Sequence, residues 1–254
     1  MTARLHAAEN GPADAPVLVL GPSLGTDMGL FDPQVAEFAG THRVIRYDLR
    51  GHGGSECVPG SCTMADLADD VLGLLDDLDV DRFSYAGVSI GGAIGQQLAL
   101  TVPDRLEKLA IIASAARFAD PPSWAARAAQ VREQGTDILV PSRTGTWFTT
   151  EWAEEEPAAA ERLLAMLRAT PPEGYAACCE AIGAFDVRDQ LGEIAAPTRV
   201  LAGSEDPATT VDMVRLVAEG IPDSDFRVVP GAAHLPNATH PRAVNAALRH
   251  HLGD

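Results

Sequence analysis

Short apolar runs alternate along this chain with stretches in which apolar residues recur at helical spacing, the sign of strands joined by crossover helices in a mostly parallel sheet. Residues 17–21, 43–48, 83–88, 109–113, 199–202 and 226–229 read as strands. Their near-continuous hydrophobicity predicts burial on both faces. Between them, 64–78 (MADLADDVLGLLDDL) sets apolar residues on one helical face with acidic residues opposite, which predicts an amphipathic helix. Residues 211–218 and 243–252 follow the same pattern.

The alternation stops near Ala115 and resumes near Ala196. The intervening segment is rich in Ala, Arg, Glu and aromatic residues, holds all three tryptophans (Trp124, Trp147, Trp152) and shows helical periodicity at 158–168 with no strand pattern. A helical insertion into an α/β unit predicts a cap at 115–195 over the C-terminal edge of a sheet built from 1–114 and 196–254. Caps of this kind shape substrate pockets. The alternative is a small helical domain with no part in binding.

Composition narrows the class. A chain of 254 residues that is 46% hydrophobic has ample material for one sizeable core and is too apolar for disorder. Its net charge of -17 disfavours a phosphate backbone as partner, and with a single lysine, Lys108, there is no polybasic segment. The N-terminal residues lack a signal-peptide pattern and the longest uncharged stretch, 83–102, carries Ser89, Gln96, Gln97 and several glycines, so the expectation is a cytoplasmic protein with no membrane partner. Four cysteines do not make a disulfide framework in a chain of this length, and the adjacent Cys178 and Cys179 read as small apolar packing groups.

The chemistry concentrates at strand ends. Gly87-Val88-Ser89-Ile90-Gly91 follows an apolar strand and precedes a helical pattern, the context that the G-x-S-x-G turn requires. A serine on so sharp a turn adopts strained backbone angles, and the flanking glycines remove the Cβ clashes that would forbid it. Serine is a weak nucleophile at its free pKa, so a base and a group that orients the base belong later in the chain. His234, in GAAHLP directly after the last strand, is the candidate base, in preference to His6, His42, His240, His250 and His251. Asp206, closing VLAGSED, is the candidate acid, with Glu205 its competitor. Backbone amides of Ile90 and, in the loop 21–26, Leu24 are the candidate oxyanion donors, since Pro22 has no N–H. Asp48 and His52 lie in RYDLRGHGGS, whose glycines argue for a tight structural loop rather than a metal site. No zinc, dinucleotide or nucleoside-triphosphate motif is present.

GVSIGG, RYDLRGHGGS, LAGSEDPATT and GAAHLPN together resemble the α/β-hydrolases over essentially the whole chain, in the chain order Ser, Asp, His expected of that fold. More narrowly, PSLGTDMGLFDPQ, the WFT at 147–149 and PPEGYAACCEAIGAFDVRDQL at 171–191 are similar to 3-oxoadipate enol-lactonases. The resemblance implies an α/β-hydrolase fold with a helical cap and hydrolysis of a small enol-lactone by Ser89, Asp206 and His234, without a cofactor. It also favours Asp206, placed before a proline, over Glu205. The sequence departs from the family where members often carry Asn or His (Pro22 here), Trp (Phe31) and, immediately before the cap tryptophan, Arg (Thr146). Trp147 is the expected pocket wall. A carboxylate-bearing lactone needs a cationic partner, for which Arg117, Arg143 and Arg188 are the candidates, while a neutral lactone or ester needs none. Rival readings are an esterase or tailoring hydrolase, a cofactor-free haloperoxidase, and a hydrolase-fold protein that binds a small ligand with little turnover.

Overall fold

The computed structural model describes residues 2–253, the side chain of Pro121 excepted; Met1 and Asp254, the outermost residues of the two expected core segments, lie outside it. Seven strands form one sheet: β1 (Ala7–Asn10), β2 (Val17–Gly21), β3 (Arg43–Tyr47), β4 (Phe83–Val88), β5 (Leu106–Ile112), β6 (Thr198–Gly203) and β7 (Ser224–Val229). They lie in the order β1-β3-β2-β4-β5-β6-β7, with β1 antiparallel to β3 and every other pairing parallel. The helices are α1 (Asp32–Phe38), α2 (Met64–Asp77), α3 (Ile90–Thr101), α4 (Pro121–Gln134), α5 (Thr150–Glu155), α6 (Pro157–Ala169), α7 (Pro172–Ala184), α8 (Val211–Gly220), α9 (Pro236–Thr239) and α10 (Pro241–Leu252).

Local chemistry explains the boundaries of these elements. All six residues of β4 are buried, Ser84 among them, which is why the strand reads as a nearly continuous apolar run. Thr63 caps α2, its hydroxyl accepting from the Asp66 amide while the Asp66 carboxylate accepts from the Thr63 amide, a reciprocal capping box. Met64, Leu67, Ala68, Val71 and Leu75 form the buried stripe of that helix.

Two expectations required correction. The outer strand β7 is buried at only one of its six positions and Val228 is 37% exposed, because β7 pairs with β6 alone and no further strand covers it. The edge strand β1 was not expected at all. Its four residues, AAEN, are partly buried or exposed and carry no alternating pattern, so pairing with β3 rather than local preference makes them a strand. Between the end of β5 and the start of β6 the chain is helical, with α4 packed along α7.

A buried ion pair ties the loop after β3 to α2. The Arg50 guanidinium grips Asp70 through Nε and Nη2 at 2.7 and 2.8 Å, and Asp70 also accepts the Ala3 amide. Both side chains are almost fully buried. Asp70→Ala takes the carboxylate away from a buried guanidinium, and we expect a loss of about 3–5 kcal/mol in unfolding free energy, read by urea denaturation. A loss below about 1 kcal/mol would show that the pair is solvated rather than buried.

Candidate active site

The order of the sheet creates the site. Chain connections leave β2 toward β3 on one side and β4 toward β5 on the other, so a crevice opens beyond the carboxyl ends of β2 and β4. Gly21 and Gly87 stand side by side at those ends. Ser89 caps α3 with φ 58° and ψ -118°, a strained conformation that lifts its hydroxyl clear of the turn. A Cβ on Gly91 would lie 2.1 Å from the Gly21 carbonyl oxygen, and one on Gly87 2.2 Å from Gly91, so both positions exclude any side chain. The Ser114 hydroxyl donates to the Ser89 carbonyl at 2.6 Å and the Ser89 amide donates to Ile112, which holds the turn against β5.

Three side chains distant in sequence meet over this turn. His234 Nε2 is 2.9 Å from Ser89 Oγ, and His234 Nδ1 is 2.8 Å from Asp206 Oδ2. Asp206 also accepts from the amides of Ala208 and Thr209 and, at 2.6 Å, from the Thr209 hydroxyl. Burial raises the Asp206 carboxyl, but the His234 imidazole and the Thr209 bonds outweigh it and hold the group below the usual aspartate value. The carboxylate therefore stays charged and fixes Nδ1 as a donor, leaving Nε2 to face the serine. Glu205, the competing acid, is exposed and its carboxylate accepts from Ser204 instead. Thr209 escaped sequence reasoning; its only signal was its place just after Asp206.

Above Ser89 lies a cavity of about 400 Å³, at the small end of the roughly 300–1,000 Å³ range of ligand pockets. Ser89 and His234 form its floor, with Leu24, Trp147, Tyr175, Arg143 and Thr146 on its walls. Trp147 is 2% exposed, and the loop that carries it docks on the histidine loop through the backbone: the His234 amide donates to Thr146 and the Leu235 amide to Trp147. Of the three arginines singled out from sequence, only Arg143 lines this cavity. Arg117 and Arg188 do not; both pair with Asp186 where the chain leaves α7, and Arg117 and Asp186 form a β-bridge there. Trp124 and Arg127, on α4, also line the cavity and were not anticipated.

A family model described as alpha/beta hydrolase fold matches residues 16–241. The chain belongs to the α/β-hydrolase family. It is 38% identical to 3-oxoadipate enol-lactonase 2 of Acinetobacter baylyi, over 96% of this chain and 91% of that protein. Among solved structures it is similar to the enol-lactonase from Burkholderia xenovorans LB400, with TM-score 0.96 and 36% identity over 99% of this chain and 97% of the other. A thermophilic esterase from Thermogutta terrifontis superposes with TM-score 0.92 at 30% identity, covering 98% of this chain and 93% of that one.

In this α/β-hydrolase the loop after β2 brings Leu24 to the cavity beside Ser89. Neither the Leu24 amide nor the Ile90 amide donates to an acceptor among the described residues. Ile90 opens α3, where the first amides have no intrahelical partner. Gly25, at φ 78°, is held by His52: its amide donates to His52 Nε2 at 3.1 Å, while His52 Nδ1 donates to the Arg50 carbonyl. Asp48 completes the support by accepting from the amides of Met28 and Gly54 and from His6. Among the described residues no helix is long and apolar enough to cross a membrane.

Burial pushes the His52 imidazole down to about 4, against the pull of its bond to Arg50. The unfolded chain takes up this proton near the ordinary value of 6.5, so the stabilisation is complete above that pH and is lost as pH falls from about 6.5 toward 4. The loss from this one group amounts to about 3 kcal/mol. The difference in unfolding free energy between the wild type and His52→Gln should shrink by that order between pH 7 and pH 4 in urea titrations; a pH-independent difference overturns the assignment.

Proposed function

We propose that this α/β-hydrolase opens a small enol-lactone, of which 3-oxoadipate enol-lactone is the leading candidate, through an acyl-enzyme on Ser89. The observation that carries the reading is the unbroken hydrogen-bonded relay from Asp206 through His234 to Ser89, on the floor of a cavity suited to a small substrate. The similarity to two enol-lactonases over nearly the whole chain supports the substrate class.

In the proposed mechanism His234 Nε2 takes the Ser89 proton as Oγ attacks the lactone carbonyl. Charge on the carbonyl oxygen is met by the amides of Leu24 and Ile90, with the positive end of α3 behind them. Collapse of the tetrahedral centre breaks the ring C–O bond, and the imidazolium returns the proton to the departing enol oxygen. The enol tautomerises to a ketone, which makes ring opening strongly downhill. Water, deprotonated by His234, then releases the acyl group from Ser89. Asp206 stays ionised throughout and stabilises the imidazolium that forms in both halves of the reaction. The helices at 115–195 act as the cap that encloses the lactone and excludes bulk water.

An esterase reading uses the same residues and is favoured by the likeness to the thermophilic esterase. Assay against 3-oxoadipate enol-lactone and p-nitrophenyl acetate separates the two, since a lactonase opens the first with the higher kcat/KM. Ser89→Ala should lower turnover of the preferred substrate by about three to six orders of magnitude, the remainder coming from binding and the oxyanion donors. Turnover like that of the wild type would overturn covalent catalysis at Ser89.

A further inference from the structure

The cavity over Ser89 holds two guanidiniums, and neither an aspartate nor a glutamate is among the residues that line it, in a chain whose net charge is -17. Arg143 is 8% exposed, and its Nη2 donates to Ser142 Oγ at 2.9 Å while its Nε is buried with no acceptor among the described residues. Its guanidinium lies 5.6 Å from the Trp147 ring centre, and that of Arg127 lies 4.6 Å from Trp124. Among the described residues neither arginine pairs with a carboxylate, whereas Arg117, Arg132, Arg162 and Arg188 all do.

A buried cation with an idle donor is poorly compensated unless the occupant of the cavity supplies the missing charge. Burial works against the charged form of Arg143, holding its pKa below that of an ordinary arginine, yet a guanidinium has no accessible neutral form at physiological pH. A planar carboxylate matches the guanidinium fork, which it can accept through two parallel hydrogen bonds. The supporting loop is fixed to the histidine loop by the Thr146 and Trp147 carbonyls, so the cation keeps a constant station relative to the reacting serine.

We propose that Arg143, with Arg127 beside it, forms an anion subsite that makes this enzyme select lactones and esters bearing a carboxylate arm over neutral ones of the same ring. This rests on the hydrolase reading of the same cavity.

The test compares 3-oxoadipate enol-lactone with α-angelica lactone, in which a methyl group replaces the carboxymethyl arm. The ratio of their kcat/KM values is insensitive to the folded fraction of any variant. Arg143→Gln should lower that ratio by about 10- to 100-fold, chiefly through KM for the charged lactone, and Arg143→Lys should restore part of it. An unchanged ratio overturns the proposal. A second measurement is independent of lactone chemistry: glutarate should protect Ser89 from a fluorophosphonate in the wild type and about tenfold less well in Arg143→Gln. Equal protection overturns the subsite. If the protection difference holds while neither lactone is opened, the subsite stands and the lactonase reading falls.

Discussion

Two strand ends approach here at backbone distance, and the site follows from that contact. The carbonyl of Gly21 closing β2 occupies the space that a Cβ on residue 91 would need, and Gly87 and Gly91 are equally close to each other. Only a chain without side chains at these points lets the loop after β2 lie beside the turn after β4. The loop that carries Leu24 and the turn that carries Ser89 then lie side by side at the edge of the cavity. A single added methyl at residue 91 would push the two elements apart.

Electrostatics in this molecule work on two length scales. The surface is strongly acidic as a whole, with -17 formal charges, whereas the cavity wall is cationic. Surface charges are screened beyond roughly 8 Å at physiological salt, but groups inside a cavity are screened much less. The distant field thus opposes the approach of an anion, while the field of the cavity wall favours one at short range. Salt should ease the first effect far more than it weakens the second, so association and retention respond to ionic strength in opposite senses.

How much of this was legible in sequence depended on whether a residue's task is local. The inner strands were readable because both faces are buried and nearly all the residues are apolar, as in β4. The strand β1 was invisible because an edge strand needs no apolar alternation, and β7 was mistaken for an inner strand because its apolar letters say nothing about a missing neighbour. Ser89 was legible because the turn demands glycine at fixed offsets, and His234 and Asp206 because chemistry in a parallel sheet gathers at strand ends. Trp124 and Arg127 were not, since their role depends on how α4 lies over the sheet, and an arginine in an Ala-rich helix looks like any solvated residue. Arg117 and Arg188 looked suitable for the opposite reason. They flank the ends of the helical segment but are committed to Asp186, a partnership across about seventy residues for Arg117 that no local pattern reveals.

The docking of the Trp147 loop on the histidine loop is made by main-chain atoms, Thr146 and Trp147 supplying carbonyls to the amides of His234 and Leu235. Main-chain hydrogen bonds are indifferent to which side chains decorate the strand of backbone that makes them. The cavity-lining side chains of Ser142, Arg143 and Thr146 can therefore change during divergence while these two main-chain bonds stay in place, whereas Gly145, at φ 82°, and the buried Trp147 are constrained. The wall of the cavity and the relay on its floor are thus joined through backbone, so one can be rebuilt residue by residue above the other.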